Sequence, residues 1–389
     1  TRVRVRRSVL TFSQRKNIFE KVKQRNKNKN KKNKNKKKNM STEKIYTHEE
    51  FEELIRYSVD PKTGAVTSKL IEGCEIGDFS CRAFNKQSIF DDETAGTVKR
   101  DREFVEEVLR DPSEALAGKR IGHLEDGAMG ALVGMAVADA MGHRYEFQPV
   151  VYDTVELRGM GEGPGGVFRL QPGQWTDDAS MGLCLADSLL THGGELDGHD
   201  LMHRFLAWWS GGYDNAFRYD PLPRSSVGLG GNISLSFGAY IRKPAAHTPA
   251  GDKNTSGNGS VMRNAPVAVC YHADMDAALR AAAEQSLTTH QGTEAAECCR
   301  LLTHITVKGL NGERLADVLA GLGDTFQTDV ESVRALARSE AERSADGSVC
   351  PDRDWRWRSQ TYRYSESRAH ANPGYIGSYA MDAMAMALH

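Results

Sequence analysis

The chain has 389 residues, of which 39% are hydrophobic, and a formal net charge of −1 at pH 7. This length suffices for one large core or two small ones, and the most apolar run, residues 128–138, is too short to cross a bilayer. The seven cysteines show neither metal-ligand spacing nor a paired framework, and the basic N-terminus lacks the apolar core of a signal peptide. We therefore predict a reduced, cytoplasmic protein.

The N-terminal segment is strongly basic. Residues 1–40 carry 17 of the 51 Lys and Arg side chains and one of the 52 acids, Glu20, which leaves 34 basic and 51 acidic side chains elsewhere. Residues 1–39 are predicted to be a disordered tail, because their Lys and Asn run offers little apolar surface to bury. The tail could act as a nuclear signal, make a weak RNA contact or be a passive extension. Met40 is the initiator that we favour. An acidic body argues against nucleic acid as its main ligand.

Residues 40–118 are predicted to be an extension packed on the main body. Thr47 to Glu50 has the pattern of a capping box before a short helix that reaches about Tyr57. A second helix is predicted over residues 101–109. No sustained alternation of apolar and polar residues indicates a strand anywhere in the chain.

Helices dominate the predicted domain, residues 119–389. The first, residues 126–141, is rich in small residues, and Gly127, Gly130 and Gly134 predict a central helix surrounded on all sides. A long loop is predicted over residues 345–374, where the alternation of Trp355 and Trp357 with arginines would stack on a base or pack the loop. Further helices are predicted over residues 197–209, 232–241, 275–286, 292–310, 312–322 and 328–342, and from 375 onward.

Three oxygen-bearing side chains, Thr176, Asp177 and Asp178, lie at consecutive positions before a helical pattern. The apolar spacing that begins at Met181 indicates one buried face, and Gly193 follows as a stop signal. A hydroxyl beside two carboxylates suits Mg²⁺ or Mn²⁺, which prefer oxygen ligands. The alternative is an ordinary helix cap, with acids at the positive end of the helix dipole.

Three further motifs accompany this turn. Residues 134–142 form a small-residue segment that contains Asp139 and precedes Glu146. Residues 257–266 begin with a glycine turn whose amides could hold phosphate, although a plain turn is the alternative and no P-loop lysine is present. The third motif is Thr289-His290.

These motifs, in this order from about Gly127 to the end of the chain, resemble the ADP-ribosylglycohydrolase family, and especially its dinitrogenase-reductase-activating glycohydrolase branch. The resemblance implies an all-α orthogonal multi-helix bundle. It also implies Mg²⁺-dependent hydrolysis of the bond between ADP-ribose and a protein side chain or small molecule, by a monomer. The alternative is a catalytically inactive relative that binds ADP-ribose or keeps only the fold.

The resemblance also assigns roles. The metal ligands would be Thr176, Asp177 and Asp178, holding two Mg²⁺ ions (or Mn²⁺) together with a second acidic motif near the C-terminus. That motif is absent before His389, so we expect a C-terminally truncated fragment with little or no turnover. The catalytic residues would be Glu146, Asp178 and Asp214. The substrate-binding residues would be Asn258, Gly259, Ser260 and His290.

Several of these residues have a simpler interpretation. Glu146 and Asp214 could be ordinary loop acids, and His290 could be structural. Asp139 would support the metal residues or cap a neighbouring helix. Arg263 would pair with a phosphate or with a helix acid.

Overall fold

The computed structural model describes residues 55–59, 66–70, 122–147, 159–217, 225–249, 255–363 and 378–389. These residues belong to one compact unit that comprises residues 46–84 and 122–389. The predicted tail, residues 1–39, and the predicted helix over 101–109 lie outside the described residues. None of the described helices is long and apolar enough to span a membrane.

The described part of the chain is mostly helical, which confirms the predicted fold class. It contains eleven α-helices and, between residues 258 and 260, one turn of 3₁₀ helix. The helices are α1 His123–Gly142, α2 Asp177–Thr191, α3 Gly198–Gly211, α4 Gly231–Arg242, α5 Ala265–Cys270, α6 Met275–Leu287, α7 Thr293–Leu310, α8 Leu315–Ala320, α9 Leu322–Thr325, α10 Glu331–Arg338 and α11 Ala380–Leu388.

Local signals explain where several helices begin and end. The Asp197 carboxylate accepts hydrogen bonds from the amides of His199 and Asp200 at 2.8 and 3.0 Å and so caps α3. Gly212 ends the same helix in the left-handed region, with φ of 71°. Asp274 caps α6 in the same manner as Asp197 caps α3.

The expectation that the chain contains no strands is wrong. Strands β1 Ile55–Val59 and β2 Val66–Leu70 pair antiparallel. Residues 55–57, the end of the predicted helix, therefore lie in a strand. Strands β3 Ala341–Arg343 and β4 Val349–Asp354 form a second pair. Strand β3 overlaps the end of the helix predicted over 328–342, and β4 lies within the loop predicted over 345–374. The three residues of β3 are too few for alternation to appear, whereas β1 does alternate apolar Ile55, Tyr57 and Val59 with polar Arg56 and Ser58, a short signal that the prediction missed.

Helix α1 is not surrounded on all sides as predicted. Asp139 and Ala140 are its buried residues, whereas Met129 and Val133 are 46% and 60% exposed. A Cβ on Gly127 would lie 3.0 Å from Leu310 Cδ2, but Gly130 has no neighbour within 4 Å. Small residues permit a close approach without requiring one, so they do not predict burial by themselves.

A large hydrophobic core, with a second small cluster of α5, α6 and α7 side chains, holds the described helices together. It joins side chains of α2, α3, α7 and α11, and Trp208 and Phe205 are fully buried at its centre. Trp355 and Trp357 are also buried, so these two side chains pack the segment after β4 onto the bundle. The core fixes α2 along its length, which holds the first turn of that helix at the rim of a cleft.

Candidate active site

A cleft of about 1160 Å³ opens beside the first turn of α2. Six of the predicted site residues line it: Glu146, Asp177, Asp178, Asn258, Gly259 and His290. The loop after α1 and the residues just before α11 therefore meet at one place, and 113 positions separate Glu146 from Gly259 in the sequence. The remaining predicted residues, Thr176, Asp214 and Ser260, lie outside the lining.

Asp139, rather than Thr176, caps α2. The Asp139 carboxylate accepts hydrogen bonds from the Thr176 amide, the Thr176 hydroxyl and the Ala179 amide at 2.7 to 3.0 Å. Thr176 occupies the N-cap position, but its side chain makes no cap hydrogen bond. Because the Thr176 hydroxyl hydrogen goes to Asp139, the oxygen lone pairs remain able to bind a cation.

Four carboxylates concentrate negative charge around this turn. Burial, and then repulsion by Asp139, raises the pKa of Glu146 to about 7. Burial, followed by repulsion from the neighbouring acids, raises the pKa of Asp177 and Asp178 well above its usual range. In the described part of the chain, none of the four forms an ion pair with Lys or Arg.

The donor set at this turn suits a hard cation. Oxygen ligands with uncompensated charge are the type that Mg²⁺ binds, and a cation would lower the raised pKa values by neutralising the repulsion. Within the residues that the structure describes, no group of three or more His, Cys, Asp or Glu side chains has the arrangement of a metal site. The type of donor atom therefore suits a cation, whereas the spacing of these side chains in the structure is not that of a metal site.

The glycine turn forms another wall of the cleft. It is held by the start of α11, since the Asn258 amide donates to the Ser378 carbonyl at 2.9 Å and Gly257 bridges Tyr379. A Cβ on Gly259 would lie 2.9 Å from Ile233 Cδ1 and 3.0 Å from His290 Cε1. A side chain at position 259 would therefore require Ile233 or His290 to shift.

The side chain of Ser260 does not face the cleft as expected. Ser260 is fully buried, and its hydroxyl accepts hydrogen bonds from Ser286 at 2.7 Å and from Cys299 at 3.5 Å. The 3₁₀ turn rotates consecutive side chains by about a third of a turn each, which directs Ser260 into the core.

Asp214 also departs from its expected place. It has a positive φ of 53°, and its carbonyl accepts a hydrogen bond from Trp175 Nε1 at 3.3 Å. Its charge raises the pKa of the buried Tyr213 and Cys184 after the larger effect of burial. Asp214 therefore lies close to buried groups of α2 and of the turn after α3, and the loop turns it away from the cleft.

Arg263 lies in the core, out of reach of a phosphate in the cleft, and makes no ion pair with an acid of the described residues. It is fully buried, and burial lowers its pKa to about 9. Its guanidinium donates to neutral acceptors on Gln285, Thr288 and Thr289 and lies 4.5 Å from the ring centroid of Phe205. This buried cation instead supports the segment that carries His290.

The structure adds lining residues that the sequence did not indicate. Asp352 and Arg353 of β4 line the cleft, and Arg353 donates to Glu342 at 2.8 Å and to Tyr379 at 2.9 Å. A short strand within an apparent loop has no periodic signal, so this wall could not be located in advance. The loop before α4 contributes a second missed wall, residues 226–230.

Gly228 is the member of that wall that contacts the acidic cluster. Its φ is 92°, and a Cβ at this position would lie 2.0 Å from Asp177 Oδ1. The backbone of residue 228 thus limits where the Asp177 carboxylate can sit. A glycine between Val227 and Leu229 is a weak sequence signal for such a close approach.

Comparison with known proteins places these features in a wider group. A sequence model of the family described as ADP-ribosylglycohydrolase matches residues 122–389. The ADP-ribosylarginine hydrolase Tri1 of Pseudomonas putida (strain GB-1) is 34% identical over 198 residues, which are 50% of this chain and 50% of Tri1. The ADP-ribosyl-[dinitrogen reductase] glycohydrolase of Rhodospirillum rubrum is 31% identical over 148 residues, 38% of this chain and 45% of that protein.

A solved chain described as an ADP-ribosylglycohydrolase-related protein complex is 27% identical, with 69% of this chain and 87% of that chain covered and a TM-score of 0.47. The chain spans about half the length of the curated relatives it matches. The relatives do not single out the dinitrogen reductase branch, because Tri1 matches at higher identity over a longer stretch.

Proposed function

Because this chain belongs to the ADP-ribosylglycohydrolase family, we propose that it hydrolyses the glycosidic bond between ADP-ribose and an acceptor, with Mg²⁺ as cofactor. One observation carries the proposal: the carboxylates of Glu146, Asp177 and Asp178 line the same cleft as the glycine turn. Acids suited to glycosidic chemistry and amides suited to phosphate thus stand around one ligand-sized space.

Thr176, Asp177 and Asp178 would hold the cation. A bound Mg²⁺ would neutralise these carboxylates and polarise oxygen atoms of the substrate. Asp139 orients the Thr176 oxygen by accepting its hydrogen at 2.7 Å. The Asp177 carboxylate lies close against the backbone of Gly228, which leaves no room for a side chain there.

Glu146 would act as the general base. Without a cation its pKa is raised to about 7, mainly by burial, so it binds a proton more readily than an ordinary carboxylate, which suits a group that accepts a proton from water. As a carboxylate it would also stabilise the positive charge that develops on the sugar in an oxocarbenium-like transition state. The turn at Gly257 and Gly259 would hold the diphosphate through backbone N–H groups.

The acceptor that we propose is an arginine side chain. Tri1, the relative that is 34% identical, is named for ADP-ribosylarginine. Glu146 supports this choice, because this carboxylate lines the cleft, is not one of the proposed cation ligands and has no basic partner among the described residues that would compete with an entering guanidinium.

Release of free ADP-ribose tests the proposal. The full chain is incubated with ADP-ribosyl-arginine and ADP-ribosyl-serine peptides and Mg²⁺, and the products are separated by chromatography. The proposal predicts release from the arginine peptide and at least about 100-fold less from Glu146→Gln, since removal of a positioned acid–base group costs about that much. Such release would show that the expectation of little or no turnover, drawn from the absent second acidic motif, is wrong. A matched control is Glu195→Gln, whose exposed side chain lies outside the cleft.

The inactive alternative has its own outcome in the same experiment. Tight ADP-ribose binding by calorimetry, with no release from either peptide, would identify a binding protein. Absence of both binding and release would contradict the proposed function altogether.

A further inference from the structure

The ring of His290 faces the glycine turn with one particular edge. His290 is almost fully buried, yet it lines the cleft. A Cβ on Gly257 would lie 3.3 Å from His290 Nε2, and one on Gly259 would lie 3.2 Å from the same atom. The Nε2 edge is therefore directed toward the turn and the ligand space.

The Nδ1 edge of the ring makes its hydrogen bond inside the protein. His290 Nδ1 lies 2.8 Å from the hydroxyl oxygen of the buried Thr289. The same oxygen receives a hydrogen bond from Arg263 Nη2 at 2.8 Å. A guanidinium has no acceptor, so Arg263 must be the donor in that contact.

These contacts determine where the hydrogens lie. Among the described residues, the Thr289 hydroxyl has no partner besides Arg263 and His290. Its own hydrogen therefore goes to His290 Nδ1, because a buried hydroxyl hydrogen without an acceptor costs about 1–3 kcal/mol. A neutral imidazole that accepts at Nδ1 carries its single hydrogen on Nε2.

The charge state is consistent with this arrangement. Burial, and then the nearby Arg263 charge, lowers the pKa of His290 well below its usual range. A doubly protonated ring would also place an N–H against the Thr289 hydroxyl and deprive that hydroxyl of its acceptor.

We propose that Thr289, held by Arg263, fixes His290 in the neutral form with its hydrogen on Nε2, so that His290 presents a directed hydrogen-bond donor to an acceptor oxygen of the ligand. Thr289 and Arg263 are positioning residues in this scheme and do not reach the ligand themselves. His290 in this form cannot serve as a base through Nε2. That the ligand oxygen belongs to ADP-ribose rests on the proposed function.

Nuclear magnetic resonance of the full chain tests the hydrogen position without any ligand. Histidine ring nitrogens are labelled with ¹⁵N, and the His290 signals are identified by their loss in His290→Gln. We expect Nε2 protonated and Nδ1 unprotonated in the wild-type chain. Protonated Nδ1 would overturn the proposal, and this outcome requires no variant of Thr289.

Two substitutions at position 289 separate positioning from packing. Thr289→Val removes the hydroxyl at nearly constant volume and should release the tautomer, whereas Thr289→Ser should retain it. Thermal unfolding of both variants checks that they are folded. An unchanged His290 spectrum in a folded Thr289→Val variant would show that the hydroxyl does not set the tautomer.

Calorimetric titration with ADP-ribose tests the ligand step. We expect about 10-fold weaker binding to Thr289→Val, a loss of about 1.4 kcal/mol, and no more than about 2-fold for Thr289→Ser. Equal affinity of Thr289→Val and the wild type would contradict the donor role of Nε2. If the wild-type chain does not bind ADP-ribose, the proposed function fails, while the tautomer is decided by the spectra alone.

Discussion

Asp139 in the last turns of α1 accepts hydrogen bonds from both the backbone amide and the hydroxyl of Thr176, at 2.7 to 3.0 Å. A third donor, the Ala179 amide, completes the cap. One buried carboxylate thereby joins two helices and orients the first oxygen of the acidic turn. Asp139 therefore connects α1 to the acidic turn of the candidate site.

Replacing Asp139 by Asn should destabilise the fold. Asn retains one acceptor oxygen but turns an NH₂ group toward N–H and O–H donors, so we expect a loss of about 2 kcal/mol in the free energy of unfolding. Urea denaturation measures it. Asp126→Asn is the control, because this side chain is exposed in the first turn of the same helix and should change stability by less than about 0.5 kcal/mol. Equal unfolding midpoints for the two variants would show that the three donors find other acceptors.

The raised pKa of Glu146 makes stability depend on pH in a defined direction. The folded pKa of about 7 exceeds the ordinary value of 4.5, so the folded state binds this proton more tightly. The associated stability is therefore present below pH 4.5 and is lost as the pH rises through about 7. We expect the metal-free wild-type chain to lose on the order of 1–2 kcal/mol more than Glu146→Gln between pH 5 and 8.

Denaturation at several pH values, with and without Mg²⁺, checks this dependence. Added Mg²⁺ should reduce the loss at high pH, because a bound cation neutralises the cluster. Parallel pH profiles for the wild type and Glu146→Gln would contradict the assignment of the dependence to Glu146.

Gly228→Ala should disturb the acidic turn directly. The new Cβ would meet Asp177 Oδ1 at 2.0 Å, and a φ of 92° is unfavourable for alanine. We expect a loss of about 1–3 kcal/mol in the free energy of unfolding. Gly231→Ala is the matched control from the same loop region, because no atom lies within 4 Å of its Cβ position and it begins α4. A stable Gly228→Ala variant would mean that Asp177 has room to move.

Neutralising the acidic turn should weaken cation binding. Asp177→Asn and Asp178→Asn each remove a charged oxygen ligand, so we expect at least about a 10-fold loss in Mg²⁺ affinity, or about 1.4 kcal/mol. The affinity of the wild type should rise with pH, because protons held by the raised pKa values must leave first. Calorimetric titration measures both effects, with the exposed Asp276→Asn as control. If both variants bind Mg²⁺ as tightly as the wild type, the turn does not bind the cation and serves only as the start of α2.

The sequence predicted the long helices well. Apolar spacing located α2, α4, α6 and α7 to within a few residues, because each presents one buried stripe to the same core. Asp197 and Gly212 marked the ends of α3 for local reasons. Boundaries failed where local signals are weak: the segment predicted as a helix over 328–342 ends at Arg338, and Ser339 takes a left-handed conformation there.

The candidate site was predicted in part. The family resemblance named the acids, the glycine turn and His290 as site residues, and the structure brings these residues to the lining of one cleft, while their roles stay predictions. The directions of individual side chains could not be read in this way. Ser260 points into the core and Asp214 away from the cleft, because a single turn of backbone decides each orientation.

The sequence by itself determined the predominantly helical fold, because periodicity is a property of neighbouring positions, and its motifs, through the family resemblance, indicated which residues could carry the chemistry. The tertiary structure alone decided that Asp139 caps α2, that Gly228 confines Asp177 and that Thr289 holds His290 by Nδ1. Two of these relationships join residues at least 37 positions apart, and the third depends on Arg263, 26 positions before Thr289. Such contacts depend on how whole elements pack, and no local pattern of residues encodes that packing.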